Sequence, residues 1–326
     1  MHARANGKAA FFAQYGIAVL TYDKRGAGNS GGDCATFTFD ELTEDAIAAL
    51  DHLAAHPGVD AKRVGFLGES AGAWTIQAAT EKQWKKSDAN QIAFVITWIG
   101  PATSIIQQQI SSAATYGNAV GLSEDQQAVL AEVSRIIVDQ SLSDDAAFAK
   151  LDAIRRAAEA EGWLEQGFGA DDIPRTRADV PKLWLRRFAY DPAPFLQEVG
   201  DLPYLAVFGA KDMIVPLDEN IAALQGKGTD VEVAVLKESG HGHDFGQRSL
   251  ALPGGSSFWL FEGIDSGFAN ETINFLRKRG FVLRLVKLIV SQMFSMNRPC
   301  LSSSNWRNQN SRSPHLESKA QTHRYA

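Results

Sequence analysis

Cysteine is scarce in this chain of 326 residues: there are two, Cys34 and Cys300, without the spacing of a zinc site or a disulfide framework. They read as structural thiols. With no basic-then-apolar leader over residues 1–10, the expected compartment is reducing and cytoplasmic. Apolar runs long enough to cross a bilayer are also missing. The best candidate, 281–294, is broken by Arg284 and Lys287. The spacing of its Val282, Leu285, Val286, Ile289, Val290 and Met293 predicts an amphipathic helix packed on the body. Positive charge is not in excess either: the net charge is −6, which offers no global attraction to nucleic acid. There is no P-loop, and Gly26-Ala27-Gly28-Asn29-Ser30-Gly31 runs into Gly32-Asp33-Cys34 instead of opening a helix, which argues against a dinucleotide site. No metal-ligand set stands out, and no cofactor is required.

What is present is an alternation of short apolar runs and helical patterns, the signature of a parallel sheet with crossover helices. Strands are predicted at 17–22, 63–67, 92–98, 204–208 and 231–236, each rich in the branched and aromatic residues of strands covered on both faces. A capping box, Thr38-Phe39-Asp40-Glu41, opens a helix whose buried face is Leu42, Ala46, Ala49, Leu50 and Leu53 and which Pro57-Gly58 ends. From 101 to about 200 the strand signal disappears. Ser123 opens one helix, with Val129, Leu130, Val133, Ile136 and Ile137 on one face, and Ser143 opens another, with Phe148, Leu151 and Ile154. The expected organisation is therefore a first core part over 1–100, a helical cap over 101–200 and a second core part over 201–280. Residues 281–326 hold the amphipathic helix and, past Asn297, an aperiodic polar tail expected to be disordered.

Chemistry concentrates in Gly68-Glu69-Ser70-Ala71-Gly72, between an apolar run and a helix-compatible stretch. A serine on a tight strand-to-helix turn sits in a strained backbone conformation, and only small flanking residues let strand and helix approach so closely. Serine is a poor nucleophile near neutral pH and needs a base, which needs an orienting acid. Asp212 follows the 204–208 strand, and Gly240-His241-Gly242-His243 follows the 231–236 strand. The chain order is thus Ser70, Asp212, then His241 or His243. Either histidine could serve as the base.

With the segment Tyr22-Asp23-Lys24-Arg25-Gly26-Ala27-Gly28 and the run Phe208-Gly209-Ala210-Lys211-Asp212-Met213-Ile214-Val215-Pro216, these motifs resemble the α/β-hydrolase superfamily, in its esterase and serine-aminopeptidase-like branch, over roughly residues 5–280. The resemblance implies an α/β-hydrolase fold, a mostly parallel sheet flanked by helices with an inserted helical cap. It makes Ser70 the nucleophile, Asp212 the acid and His241 the base, with His243 as the alternative base and a neighbour of the pocket. The backbone N–H of Ala71 becomes the first oxyanion donor, while Asp23 and Arg25 hold a loop and do no chemistry. His52 and His56 read as surface residues. The implied partner is a small acyl substrate. The implied activity is cleavage of a carboxylic ester, with a serine peptidase, an aminopeptidase or an acyl-thioesterase as alternatives on the same triad.

The chain departs from the family at its beginning. No His-Gly motif for a second oxyanion donor precedes Ala10, and the family's early strands are not found. The expected consequence is that the strands 17–22 and 63–67 either pair directly or leave an open slot between them. On that reading the chain is N-terminally incomplete and could be a non-catalytic remnant.

Overall fold

The computed structural model describes residues 2–86, 92–168, 172–212, 214–227, 230–241, 266–282 and 287–293. Its first half runs α1 (His2–Ala13), β1 (Ile17–Leu20), α2 (Phe39–Ala54), β2 (Gly65–Glu69), α3 (Gly72–Trp84) and β3 (Val95–Trp98). Six helices follow: α4 (Ile105–Ala119), α5 (Glu124–Val138), α6 (Asp144–Ala160), α7 (Leu164–Gly167), α8 (Trp184–Arg187) and α9 (Ala193–Glu198). Then come β4 (Tyr204–Gly209), α10 (Leu217–Leu224), β5 (Val231–Leu236), α11 (Ser266–Lys278) and β6 (Lys287–Met293). The six strands form one parallel sheet in the order β1-β6-β2-β3-β4-β5.

Local chemistry explains most boundaries. Thr38 caps α2 with its hydroxyl on the Glu41 N–H, and the Glu41 carboxylate returns to the Thr38 N–H at 2.8 Å. This box satisfies two orphan donors and is worth about 1 kcal/mol. Ser123 closes the same box with Gln126 on α5, while Ser143 caps α6 through its hydroxyl alone, which accepts from the Ala146 N–H. Strand β2 starts two residues later than the apolar run suggests, because Ala61–Arg63 form a single 3-10 turn capped by Asp60.

Alternate strand residues feed two cores, as the period of two requires. Phe66, Tyr204, Ala206 and Phe208 join Ala46, Leu50, Leu53, Ile76, Ala79 and Leu224 under α2, α3 and α10. Leu67, Ile96, Trp98, Leu205 and Val207 face Phe11 and Phe12 of α1 and Phe268, Ile273 and Leu276 of α11. A third cluster joins α4, α5, α6 and α8 to Phe37, Phe39, Leu42, Ala71 and Trp74, beside the carboxyl end of β2.

Three expectations change. Within the segment expected as an amphipathic helix, Lys287–Met293 form a strand: β6 lies between β1 and β2, with Val19 opposite Ile289 on one side and Gly65 opposite Ile289 on the other. An apolar run of this length suits a buried strand as well as a helix, and the two unpaired inner edges decide between them. The slot between the first two sequence-visible strands is therefore neither open nor closed by direct pairing. Cys34, expected as a thiol, is disulfide-bonded.

Among the described residues, no helix is long and apolar enough to cross a membrane. The polar tail past Asn297 lies outside the described residues.

Candidate active site

Ser70 stands between the end of β2 and the start of α3 with φ of 53°. That left-handed conformation costs a non-glycine residue of the order of 1–3 kcal/mol and has to be enforced by its surroundings. The enforcement is visible in the backbone. The Ser70 N–H donates to the Trp98 carbonyl at 3.0 Å and the Ser70 carbonyl accepts from Ala73 at 2.9 Å. Strand and helix approach so closely that a Cβ on Gly68 would lie 2.7 Å from the Gly72 carbonyl oxygen. Ala71, first in line to α3, presents a backbone N–H from a helix terminus, where donors have no intrahelical acceptor.

The partners arrive from β4 and β5. Past β4 the Asp212 carboxylate is pinned through Oδ1, which accepts from the N–H groups of Ile214 at 2.8 Å and Val215 at 2.9 Å. Past β5 the chain folds back across Gly209, where a Cβ would meet the Gly240 carbonyl oxygen at 2.3 Å, so only glycine permits the crossing. The Lys211 N–H donates to the Ser239 carbonyl at 2.9 Å and fastens the two loops together. His241 then stands between the other two side chains. Its Nδ1 is 2.9 Å from Asp212 Oδ2, and its Nε2 is 2.9 Å from Ser70 Oγ.

The Asp212 side chain is almost entirely enclosed at 1% exposure, and that of His241 is 12% exposed, so the histidine alone of this pair reaches toward solvent. With Nδ1–H donating to Asp212, Nε2 is free to accept the Ser70 hydroxyl proton. His243 lies outside the described residues.

The remaining sequence-derived residues take supporting places. Arg25 forms a two-pronged pair with Asp45 at 2.7 and 2.8 Å and reaches Glu41 at 2.6 Å, tying the loop after β1 to α2. Asp23 accepts from the Asn29 N–H at 3.3 Å within that loop. His52 and His56 are exposed. At the seam between this loop and α8, the Lys24 ammonium lies 5.9 Å and the Arg187 guanidinium 5.1 Å from the Phe37 ring centre. Burial, and after it the Arg187 charge, pushes the Lys24 ammonium down to about 8. Among the described residues, no group of three or more His, Cys, Asp or Glu is placed to hold a metal ion.

Of four further polar residues, three were invisible in the sequence. Lys8 of α1 and Glu69, next to Ser70, form a buried ion pair, and the Lys8 ammonium lies 4.8 Å from the Trp98 ring centre. Gln108 of α4 donates to the Ile214 carbonyl inside the acid loop. Asn220 is the exception with a faint signal, an amide one turn after Pro216 in an otherwise apolar helix face.

A parallel sheet covered by helices on both faces, with a strained serine at the carboxyl end of an inner strand and an acid and a histidine on later loops, defines an α/β hydrolase. Residues 3–151 match the family model described as serine aminopeptidase, S33. Among curated proteins it is 25% identical over 224 residues to the dihydrolipoyllysine-residue acetyltransferase component of an acetoin cleaving system from Pseudomonas putida. That match covers 68% of this chain and 51% of the relative, so the chain spans about half the relative's length. Among solved structures, an esterase of Pyrococcus furiosus aligns with a TM-score of 0.48 and 14% identity over 85% of this chain and 76% of that one. An α/β hydrolase from a Penicillium species, GrgF, aligns with a TM-score of 0.48 and 16% identity over 84% and 83% of the two chains.

Proposed function

We propose that this chain is a serine hydrolase that cleaves a carboxylic ester through Ser70, His241 and Asp212. The observation that carries the reading is the unbroken contact line from Ser70 Oγ to His241 Nε2 and from His241 Nδ1 to Asp212 Oδ2, each step 2.9 Å. In this reading Ser70 Oγ attacks the acyl carbon while His241 Nε2 takes the hydroxyl proton, and Asp212 holds the resulting imidazolium. The tetrahedral oxyanion accepts from the Ala71 N–H. Collapse of that intermediate breaks the ester C–O bond, and His241 returns its proton to the departing alcohol. Water then attacks the Ser70 acyl ester with the same imidazole as base, releasing the acid and restoring the hydroxyl.

The family model's description favours a second reading, hydrolysis of an aminoacyl amide on the same triad. The chemistry at Ser70 is identical, and the leaving group differs. The helices between β3 and β4, packed beside Ala71 and Trp74, are proposed as the cap that selects it.

A fluorophosphonate probe tests the core of the reading. Wild-type protein is expected to label stoichiometrically at Ser70, Ser70→Ala not at all, and His241→Ala at a rate lower by at least about a hundredfold. A folded wild type that takes no label would sink the proposal. Side-by-side turnover of p-nitrophenyl acyl esters and aminoacyl anilides chooses the leaving group. Preference for anilides would replace the ester reading by the peptidase one.

A further inference from the structure

The acid of the site is held in part from the helical segment. The peptide that donates the Ile214 N–H to Asp212 Oδ1 is itself flanked by a carbonyl, that of Ile214, which accepts from Gln108 Nε2 of α4. Gln108 is enclosed at 1% exposure, and its Oε1 accepts from Asn220 Nδ2 at 3.4 Å. Asn220 is fully buried. It donates to the Pro216 carbonyl at 2.7 Å and accepts the Ala102 N–H at 2.7 Å. Around the same seam, Ser111 and Gln107 of α4 donate to the Glu219 carboxylate at 2.8 and 3.3 Å.

Burying two primary amides is costly unless each finds partners, and apolar side chains would pack α4 on α10 without that cost. What the amides add is direction. A hydrogen-bonded carbonyl fixes the rotation of its peptide plane, and the rotation of the planes on either side of Ile214 decides where the Asp212 carboxylate points. We infer that Gln108 is a positioning residue, which through the Ile214 carbonyl aims Asp212 at His241 and so makes triad alignment depend on the seating of α4. The inference rests on the Ser70–His241–Asp212 reading.

The charged groups on the elements packed here are Asp218 and Glu219 of α10, the Lys211–Glu238 pair on the two loops, and Lys237 beside Glu238. Gln108→Met leaves all of them in place, so a change in the acid limb of the rate profile reports the Asp212–His241 contact. Wild type, Gln108→Met and Gln108→Glu are compared by active-site titration with a fluorophosphonate and by hydrolysis of a p-nitrophenyl acyl ester across pH. Per titrated site, Gln108→Met is expected to lower kcat by about tenfold to a hundredfold, with KM little changed. Its acid limb in kcat/KM moves to lower pH, because a poorly aimed carboxylate stabilises the imidazolium less. Gln108→Glu can donate to the Ile214 carbonyl only while protonated. It is expected to keep a near-wild-type rate at the acid end and to fall toward the methionine variant as pH rises.

A fully titrated Gln108→Met with wild-type kcat and acid limb overturns the inference, and so do losses that vanish on normalising to titrated sites. If Gln108→Met does not fold, the pH course of Gln108→Glu decides, and a course parallel to wild type overturns it. A wild type that takes no label instead overturns the triad reading.

Discussion

Lys8 and Glu69 put two opposite charges inside the protein one residue from Ser70. Removing both by shape-matched apolar or neutral groups can be nearly neutral, whereas removing one strands the other in a medium that solvates it poorly. Lys8→Met is therefore expected to destabilise the fold by about 3–5 kcal/mol, and adding Glu69→Gln to recover a large part of it. Denaturant titration of the two single variants and the double variant measures this. Additive losses in the double variant would mean that the pair is not coupled. The same scale shows why Ser70 was legible and Lys8 was not. A nucleophile elbow needs glycines at set positions because strand and helix nearly touch, and glycines at set positions are readable. A lysine that enters the core from another helix obeys no local spacing.

At the scale of elements, five strands announced themselves through branched and aromatic residues, and the capping box at Thr38 placed α2. The sixth did not. Its apolar residues fit a helical face and a covered strand equally, and what selects the strand is the pair of bare inner edges on β1 and β2, a fact of tertiary structure. Both edges of β6 carry ladders, so a residue in its middle has no side on which a missing N–H is harmless. Ile289→Pro removes a ladder donor from an inner strand and is expected to lower fluorophosphonate labelling together with thermal stability. Labelling and melting temperature equal to wild type would show that β2 holds the elbow without its neighbour. Asp212 and His241 were readable as candidates because each follows a strand signal and a nearby glycine, Gly209 and Gly240. The Gln108–Ile214 contact was not, since a helix-to-loop hydrogen bond leaves no pattern in either segment.

For the molecule as a whole, the helices between β3 and β4 are not separately cored. Leu151 of α6 belongs to the same apolar cluster as Ala71 and Trp74, beside Ser70. Leu151→Ala, at a fully buried position, is expected to cost about 2–5 kcal/mol and to lower a single unfolding transition seen alike by calorimetry and by loss of labelling. Two separated transitions, with labelling retained after the first, would show that the helical segment melts independently.

The place of β6 also bears on when this protein can become itself. A ribosome delivers β1 and β2 early, yet the strand that must separate them is made long after both. Until it emerges, the two inner edges stand exposed to each other and to any other extended chain. Assembly must then bridge a large separation along the chain, the kind of contact that forms slowly and favours chaperone dependence or trapping. A nascent chain halted before β6 would carry a complete nucleophile motif and still lack the neighbour on which its own strand leans.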